Sequence, residues 1–133
     1  MAIVLGIDPG SRITGYGLIE SSSGKLKYVA SGRIKVPEKK DLAERLGLIY
    51  DGISEIVHKY NPTEFAVEKI FVSKSAPSAL KLGQARGAAI IAGSRQGAIL
   101  SEYEARKIKQ AVVGTGAATK KQVQLMVKSL LAL

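Results

Sequence analysis

The hydrophobic pattern at the start of the chain predicts a buried strand that ends at an acid. Four of the five residues at 3–7 are large and aliphatic, and no polar residue lies among them. Such a run is typical of a strand covered on both faces within an α/β sheet. Asp8 follows directly, and apolar neighbours that remove water from its carboxylate favour a compensating cation. Asp8 is therefore a candidate metal ligand, or else a residue that caps the turn at Pro9 and Gly10.

The next stretch of β-forming residues predicts an antiparallel meander. Residues 14–20 form the second predicted strand, and Gly15 and Gly17 within it indicate that another group approaches its backbone. After a serine-rich turn, residues 25–36 predict a third strand with a bulge at Gly32.

A change to three- and four-residue spacing predicts a long amphipathic helix over residues 42–60. Asp41 is its predicted N-cap, and Asn61, which precedes a proline, is its predicted end. Because a helix crosses over before the next strand, residues 64–68 are expected to run parallel to the first strand.

Glu68 is the last residue of that fourth strand, as Asp8 is of the first. The carboxyl ends of neighbouring parallel strands meet at the same edge of a sheet, so the two carboxylates are expected to lie together. Carboxylate oxygens suit Mg²⁺, which makes the pair a candidate metal site. Taken alone, Glu68 is equally compatible with a solvated side chain at a strand end.

The segment after Glu68 contains an aromatic residue in a basic, turn-prone loop. Phe71 is placed to stack on an unpaired base while Lys74 contacts phosphate. The alternative is that Phe71 packs against its own domain.

Small residues dominate the next predicted helix, at 78–97, and indicate close packing of that helix on the sheet. Lys81 and Arg86 on this helix, together with Arg12 in the first turn, are candidate DNA contacts. The remaining predicted elements are a short buried strand, a basic helical turn and a final helix, at 98–100, 103–110 and 119–131.

The charge balance supports a polyanionic partner. Lysine and arginine number 20 against 11 aspartates and glutamates, which gives a formal net charge of +9. Such an excess favours nucleic acid, whereas the alternative is a basic surface that contacts only solvent.

Cysteine and histidine usage narrows the chemistry further. The chain has no cysteine, which excludes disulfides, thiolate zinc sites and thiol nucleophiles, and its one histidine is His58. No apolar run approaches the ~20 residues that span a bilayer, and no signal-peptide pattern is present. We expect a single cytoplasmic domain from these 133 residues.

Together, these segments resemble the RuvC family of Holliday junction resolvases, whose fold is ribonuclease H-like. The matching segments occur in the family's order and spacing, at 6–12, 14–17, 66–71, 78–87, 107–110, 112–114 and 120–124. The resemblance implies an α/β fold whose mixed five-stranded sheet, an antiparallel meander followed by parallel strands, is flanked by helices. It implies a single domain over residues 1–133.

The resemblance also implies roles for individual residues. Asp8 and Glu68 match two of the family's four acidic metal ligands, and Phe71 matches the aromatic that contacts bases at the junction centre. Lys109 and Lys120 match basic residues important for cleavage, which completes the set of predicted catalytic residues. The family acts as a homodimer that makes paired symmetric nicks in a four-way junction, in association with the helicase complex RuvA–RuvB. Two Mg²⁺ ions about 4 Å apart, or Mn²⁺ in their place, are the expected cofactors.

One part of the family pattern has no match in the sequence. The family has a further C-terminal helix with the third and fourth acidic ligands, and no segment here corresponds to it. We therefore expect weak junction binding and very poor cleavage, and the alternative function is a catalytically impaired junction- or nucleic-acid-binding domain. An actin-like phosphotransferase, which also uses a Gly-x-Asp hairpin, is disfavoured because it needs a second lobe.

Overall fold

The structure, a computed structural model, describes residues 2–69, 76–104 and 122. Its elements in chain order are β1 (Ala2–Asp8), β2 (Ile13–Ser22), β3 (Lys25–Lys35), α1 (Leu42–Tyr60), β4 (Glu64–Glu68), α2 (Ala76–Ser94) and β5 (Ile99–Tyr103). The strands form one sheet in the order β3-β2-β1-β4-β5. The first three strands pair antiparallel, whereas β4 is parallel to both β1 and β5. The predicted mixed sheet and the predicted crossover are confirmed.

The core lies between the sheet and the two helices. Large side chains of the central strands pack against the apolar stripe of α1 and the small residues of α2, and the fully buried members include Leu5, Leu18, Ile49, Ile53, Phe65 and Ala89. At Gly93 an added Cβ would lie 2.9 Å from the Phe65 ring. The small residues of α2 therefore allow this helix to approach the sheet closely, as the sequence predicts.

Both predicted ends of α1 are confirmed. The Asp41 carboxylate accepts a hydrogen bond from the Glu44 backbone N–H at 2.8 Å, which satisfies one donor of the first turn. Asn61 adopts a left-handed conformation, and its N–H donates to the Val57 carbonyl oxygen at 2.8 Å. Asp41 thus fixes where the chain enters α1, and Asn61 fixes where it leaves the helix before β4.

The predicted bulge at Gly32 is wrong. The β2–β3 register shifts between Leu18 and Ile19, whose partners are Ala30 and Tyr28, so the extra residue is Val29. Gly32 serves a different purpose, because a Cβ there would lie 2.5 Å from the Tyr16 hydroxyl oxygen.

The last described strand also differs from its prediction. β5 extends over Ile99–Tyr103 instead of 98–100, so Tyr103 belongs to a strand and not to a helical turn. Ile99 is 68% exposed, so the strand is less buried than its apolar run indicates. The predicted final helix lies outside the described residues, except for Gln122, which is helical. Neither α1 nor α2, the helices searched in the described part of the chain, is suited to crossing a membrane.

Candidate metal centre and nucleic-acid interface

Asp8 and Glu68 stand side by side at one edge of the sheet. The β1–β4 register pairs Ile7 with Val67, so the two acids occupy the next positions on adjacent parallel strands. Adjacent strands are about 4.8 Å apart, and matched positions share a face. Both side chains are exposed, and both line one open cavity of about 420 Å³. The structure thus brings together the two acids that the sequence predicts to be neighbours.

The turn that follows Asp8 is fixed by hydrogen bonds. The Thr14 hydroxyl, fully buried, accepts from the Gly10 N–H at 3.3 Å and donates to the Gly10 carbonyl oxygen at 3.2 Å. Arg45 on α1 donates through Nη2 to the Ser11 carbonyl oxygen at 2.7 Å. A Cβ on Gly10 would collide with the carbonyl oxygen of Ile13, so this tight turn needs glycine. Asp8 is consequently held between a strand and a rigid turn.

The strand end at Glu68 is fixed from a different direction. The Lys69 N–H donates to the Tyr103 carbonyl oxygen at 2.8 Å, which continues the β4–β5 ladder. Arg86 on α2 donates through Nε to the Glu68 carbonyl oxygen at 3.1 Å. Its Nη2 lies 3.1 Å from Glu102 Oε2. Glu68 therefore has its backbone fixed while its carboxylate remains exposed.

One part of the cavity beside the acids is formed by residues with a small side chain or none. Gly6, Gly15, Gly17 and Ala66 line it. A Cβ added at Gly17 would meet nothing within 4 Å, so this part of the cavity is open. The glycines that the sequence marks as a place of close approach thus lie next to Asp8, where they leave room for a nucleic-acid backbone on this side of the cavity.

The chemistry of the two acids fits a hard divalent cation. Within residues 2–69 and 76–104, neither carboxylate forms an ion pair or a hydrogen bond. No group of three or more His, Cys, Asp or Glu suited to a metal occurs among the described residues. A pair of carboxylates matches Mg²⁺, which is usually held by one or two carboxylates and keeps several waters.

A second cavity, of about 350 Å³, gathers basic side chains at the Asp8 turn. Arg12 and Lys81, both predicted DNA contacts, line it together with Arg45, Ser11, Ser78 and Glu38. Arg12 forms an ion pair with Glu38, and both side chains remain largely exposed. Three cations against one acid make this cavity attractive to a phosphate group.

Sequence reasoning missed two residues of these sites. Arg45 lies in the first turns of α1, on the flank of the apolar stripe and one turn before Ile49. A basic residue beside that stripe, at the helix end near the Asp8 turn, was the available signal. Tyr103 is 46% exposed and lines the cavity of Asp8 and Glu68, but its segment was predicted to be helical.

The remaining predicted site residues fall into two groups. Arg86 lies close to Glu68 but is only 15% exposed in its side chain, and its guanidinium contacts protein atoms. The others lie outside the described residues: Phe71, Lys74, Lys109 and Lys120.

The chain matches a known family over nearly its whole length. The family model for the crossover junction endodeoxyribonuclease RuvC matches residues 4–133. The chain belongs to the RuvC family. RuvC of Saccharophagus degradans is 58% identical over 133 residues, which is 100% of this chain and 77% of the relative. RuvC of Tolumonas auensis is 56% identical over 133 residues, 100% of this chain and 76% of the relative.

Solved structures agree with this assignment. T. thermophilus RuvC in complex with a Holliday junction substrate matches with a TM-score of 0.93 and 32% identity, over 100% of this chain and 81% of that one. The yeast mitochondrial Holliday junction resolvase Ydc2 matches with a TM-score of 0.67 and 13% identity, over 96% of this chain and 64% of that one. At 13% identity, the similarity to Ydc2 supports the fold alone. The predicted ribonuclease H-like fold of RuvC is confirmed.

Proposed function

We propose that this protein resolves Holliday junctions during recombination and DNA repair, by paired symmetric nicks that depend on Mg²⁺. The observation that carries the proposal is the pair Asp8 and Glu68, adjacent and exposed at the end of β1 and β4 in a chain of the RuvC family. The T. thermophilus relative, which shares the fold, was solved with a Holliday junction substrate. We place the activity in the cytoplasm, the compartment that holds bacterial DNA.

Asp8 and Glu68 would hold the metal, with Mg²⁺ preferred and Mn²⁺ able to replace it. A bound divalent ion supplies an activated water and stabilises the leaving oxygen of a phosphodiester. The protein contributes position: the turn fixed by Thr14 orients Asp8, and the ladder to β5 orients Glu68. Lys109 and Lys120 are proposed to hold the scissile phosphate and its developing charge.

The basic cavity at the Asp8 turn is the proposed contact for the DNA backbone. Arg12, Arg45 and Lys81 line this cavity. Arg12 and Lys81 offer donors to phosphate oxygens, and Arg45, whose Nη2 already donates to the Ser11 carbonyl oxygen, adds positive charge. Phe71 is proposed to stack on an unpaired base at the junction centre, with Lys74 on a nearby phosphate. A homodimer would supply the second active centre for the paired nick, and the helicase complex RuvA–RuvB is the proposed larger assembly.

The alternative of a catalytically impaired binding domain is not favoured. Relatives that are 58% identical over the whole of this chain are endodeoxyribonucleases by name, and this chain retains both adjacent acids. Very poor cleavage, which the missing C-terminal acids predict, is the outcome expected of such an impaired domain. The cleavage assay below distinguishes it from an active resolvase.

The test is cleavage of a synthetic four-way junction, with a linear duplex of the same sequence as the control substrate. We expect Mg²⁺-dependent nicks at symmetric positions of the junction and none in the duplex. Asp8→Asn should lower the rate by at least about 100-fold, because replacing a ligand costs more than replacing a residue behind it. Cleavage by Asp8→Asn at the rate of the unchanged protein would refute the proposed metal centre.

A further inference from the structure

Arg86 joins α2 to the carboxyl ends of two neighbouring strands. Its Nε donates to the main-chain carbonyl oxygen of Glu68 at 3.1 Å. Its Nη2 lies 3.1 Å from Glu102 Oε2, and the side chain is only 15% exposed. Nη2 makes no hydrogen bond with the described residues, so the contact to Glu102 is an ion pair of looser geometry. The guanidinium is thus turned toward protein atoms.

The contact to Glu68 holds, from the α2 side, a peptide plane whose Lys69 N–H already donates to the Tyr103 carbonyl oxygen in the β4–β5 ladder. Glu68 is the last residue of β4, and the peptide bond after it carries the carbonyl that Arg86 holds. Fixing that peptide plane limits rotation at the Cα of Glu68 and therefore limits the directions its side chain can take. Arg86 reaches the acid through its backbone and leaves the carboxylate itself without an ion pair among the described residues.

Glu102 explains how a cation can sit next to a metal site without blocking it. The β4–β5 register pairs Val67 with Glu102, so Glu102 and Glu68 project to opposite faces of the sheet. The half-buried guanidinium needs an anion nearby, because an unpaired charge there is costly. Glu102 supplies that anion on the α2 side, which directs the charge of Arg86 away from the Glu68 carboxylate.

We propose that Arg86 is a positioning residue for the metal centre, which it serves by fixing the backbone of Glu68, and that Glu102 orients Arg86 for this role. This inference rests on the proposed metal site of Asp8 and Glu68. It assigns to Arg86 a structural partner in place of the predicted DNA phosphate.

Metal affinity without DNA provides the direct test. Mn²⁺ is titrated into each protein, and electron paramagnetic resonance of free Mn²⁺ gives the Kd. We expect Arg86→Met to raise the Kd about tenfold, the lower end of the usual effect of residues behind a metal ligand. Arg95→Met removes an exposed arginine directly after the end of α2 and should leave the Kd unchanged. Asp8→Asn should abolish binding.

Two further variants refine the result. Glu102→Gln keeps an acceptor for Arg86 but removes the charge, so a rise in Kd smaller than that of Arg86→Met is expected. Arg86→Lys keeps a cation that can form one of the two contacts, so it should restore part of the affinity. Urea unfolding reports whether each variant folds. If Arg86→Met does not fold, the Mn²⁺ Kd of Arg86→Lys takes its place as the test. A raised Kd then supports the inference, and an unchanged Kd overturns it.

Junction binding without metal separates positioning from a DNA contact. A lost phosphate contact lowers the slope of log affinity against log salt by about one, whereas a positioning residue leaves that slope unchanged. A folded Arg86→Met protein with an unchanged Kd for Mn²⁺ and a reduced salt slope would overturn the inference while the metal site stands. If the unchanged protein binds no Mn²⁺, the proposed function fails first, and the inference fails with it.

Discussion

Replacing Thr14 with valine tests how firmly the turn after β1 positions Asp8. The substitution exchanges a hydroxyl for a methyl group of similar volume at a fully buried site. Both hydrogen bonds to Gly10, at 3.3 Å and 3.2 Å, are lost. The expected consequences are a small loss of stability and a larger loss of metal affinity.

The size of the stability loss follows from the geometry. Each hydrogen bond contributes ~0.5–1.5 kcal/mol net, and these long bonds belong at the lower end, which gives about 1–2 kcal/mol together. Burial of the added methyl group offsets this loss of stability by up to about 0.8 kcal/mol. A net loss of about 1 kcal/mol should lower the Tm by about 3–6 °C, as followed by circular dichroism.

Thr14→Ser is the matched control for this substitution. It keeps the hydroxyl and loses the methyl, so it should cost about 1 kcal/mol through the small cavity and yet preserve the turn. We expect the Mn²⁺ Kd to rise about tenfold in Thr14→Val and to stay unchanged in Thr14→Ser. If both variants lose the same stability and both keep the original Kd, the hydroxyl does not position Asp8 and the reasoning is refuted.

Three further predictions concern the helices and the basic cavity. Asp41→Ala should lower the free energy of unfolding by about 1 kcal/mol, measured in urea, because the Glu44 N–H loses its acceptor; no change would mean that the cap is replaced by water. Gly93→Ala should destabilise the fold by about 1–3 kcal/mol, because its Cβ would approach the Phe65 ring to 2.9 Å; a rise in Tm would show that α2 shifts without cost. Lys81→Met should reduce the salt slope of junction binding by about one, and an unchanged slope would place Lys81 off the DNA path.

Local signals in the sequence predict most of the framework. The helix 42–60 and its caps follow from periodicity and from Asp41 and Asn61, which act on neighbouring residues. The adjacency of Asp8 and Glu68 follows from one topological rule about crossover connections. These features are predictable because each depends on a short stretch of chain or on a preference shared by many folds.

Features that depend on contacts between distant parts of the chain could not be predicted from local sequence patterns. The bulge at Val29 depends on how β3 fits against β2, and Gly32 misleads because it is needed for the Tyr16 ring. β5 carries an exposed Ile99 and therefore has no clean alternation to mark its length. The partners of Arg86 depend on how α2 lies across two strand ends, which no local spacing records.

Because the two acids belong to separate strands, the protein can bind a divalent ion at the proposed site only once those strands are paired. Asp8 and Glu68 come together only when β1 pairs with β4, a non-local contact between strands that are separated in the chain by β2, β3 and α1. A chain in which β1 and β4 are not paired keeps the two carboxylates apart and does not form the proposed site for a divalent ion. The proposed metal centre is in this way tied to completion of the tertiary structure.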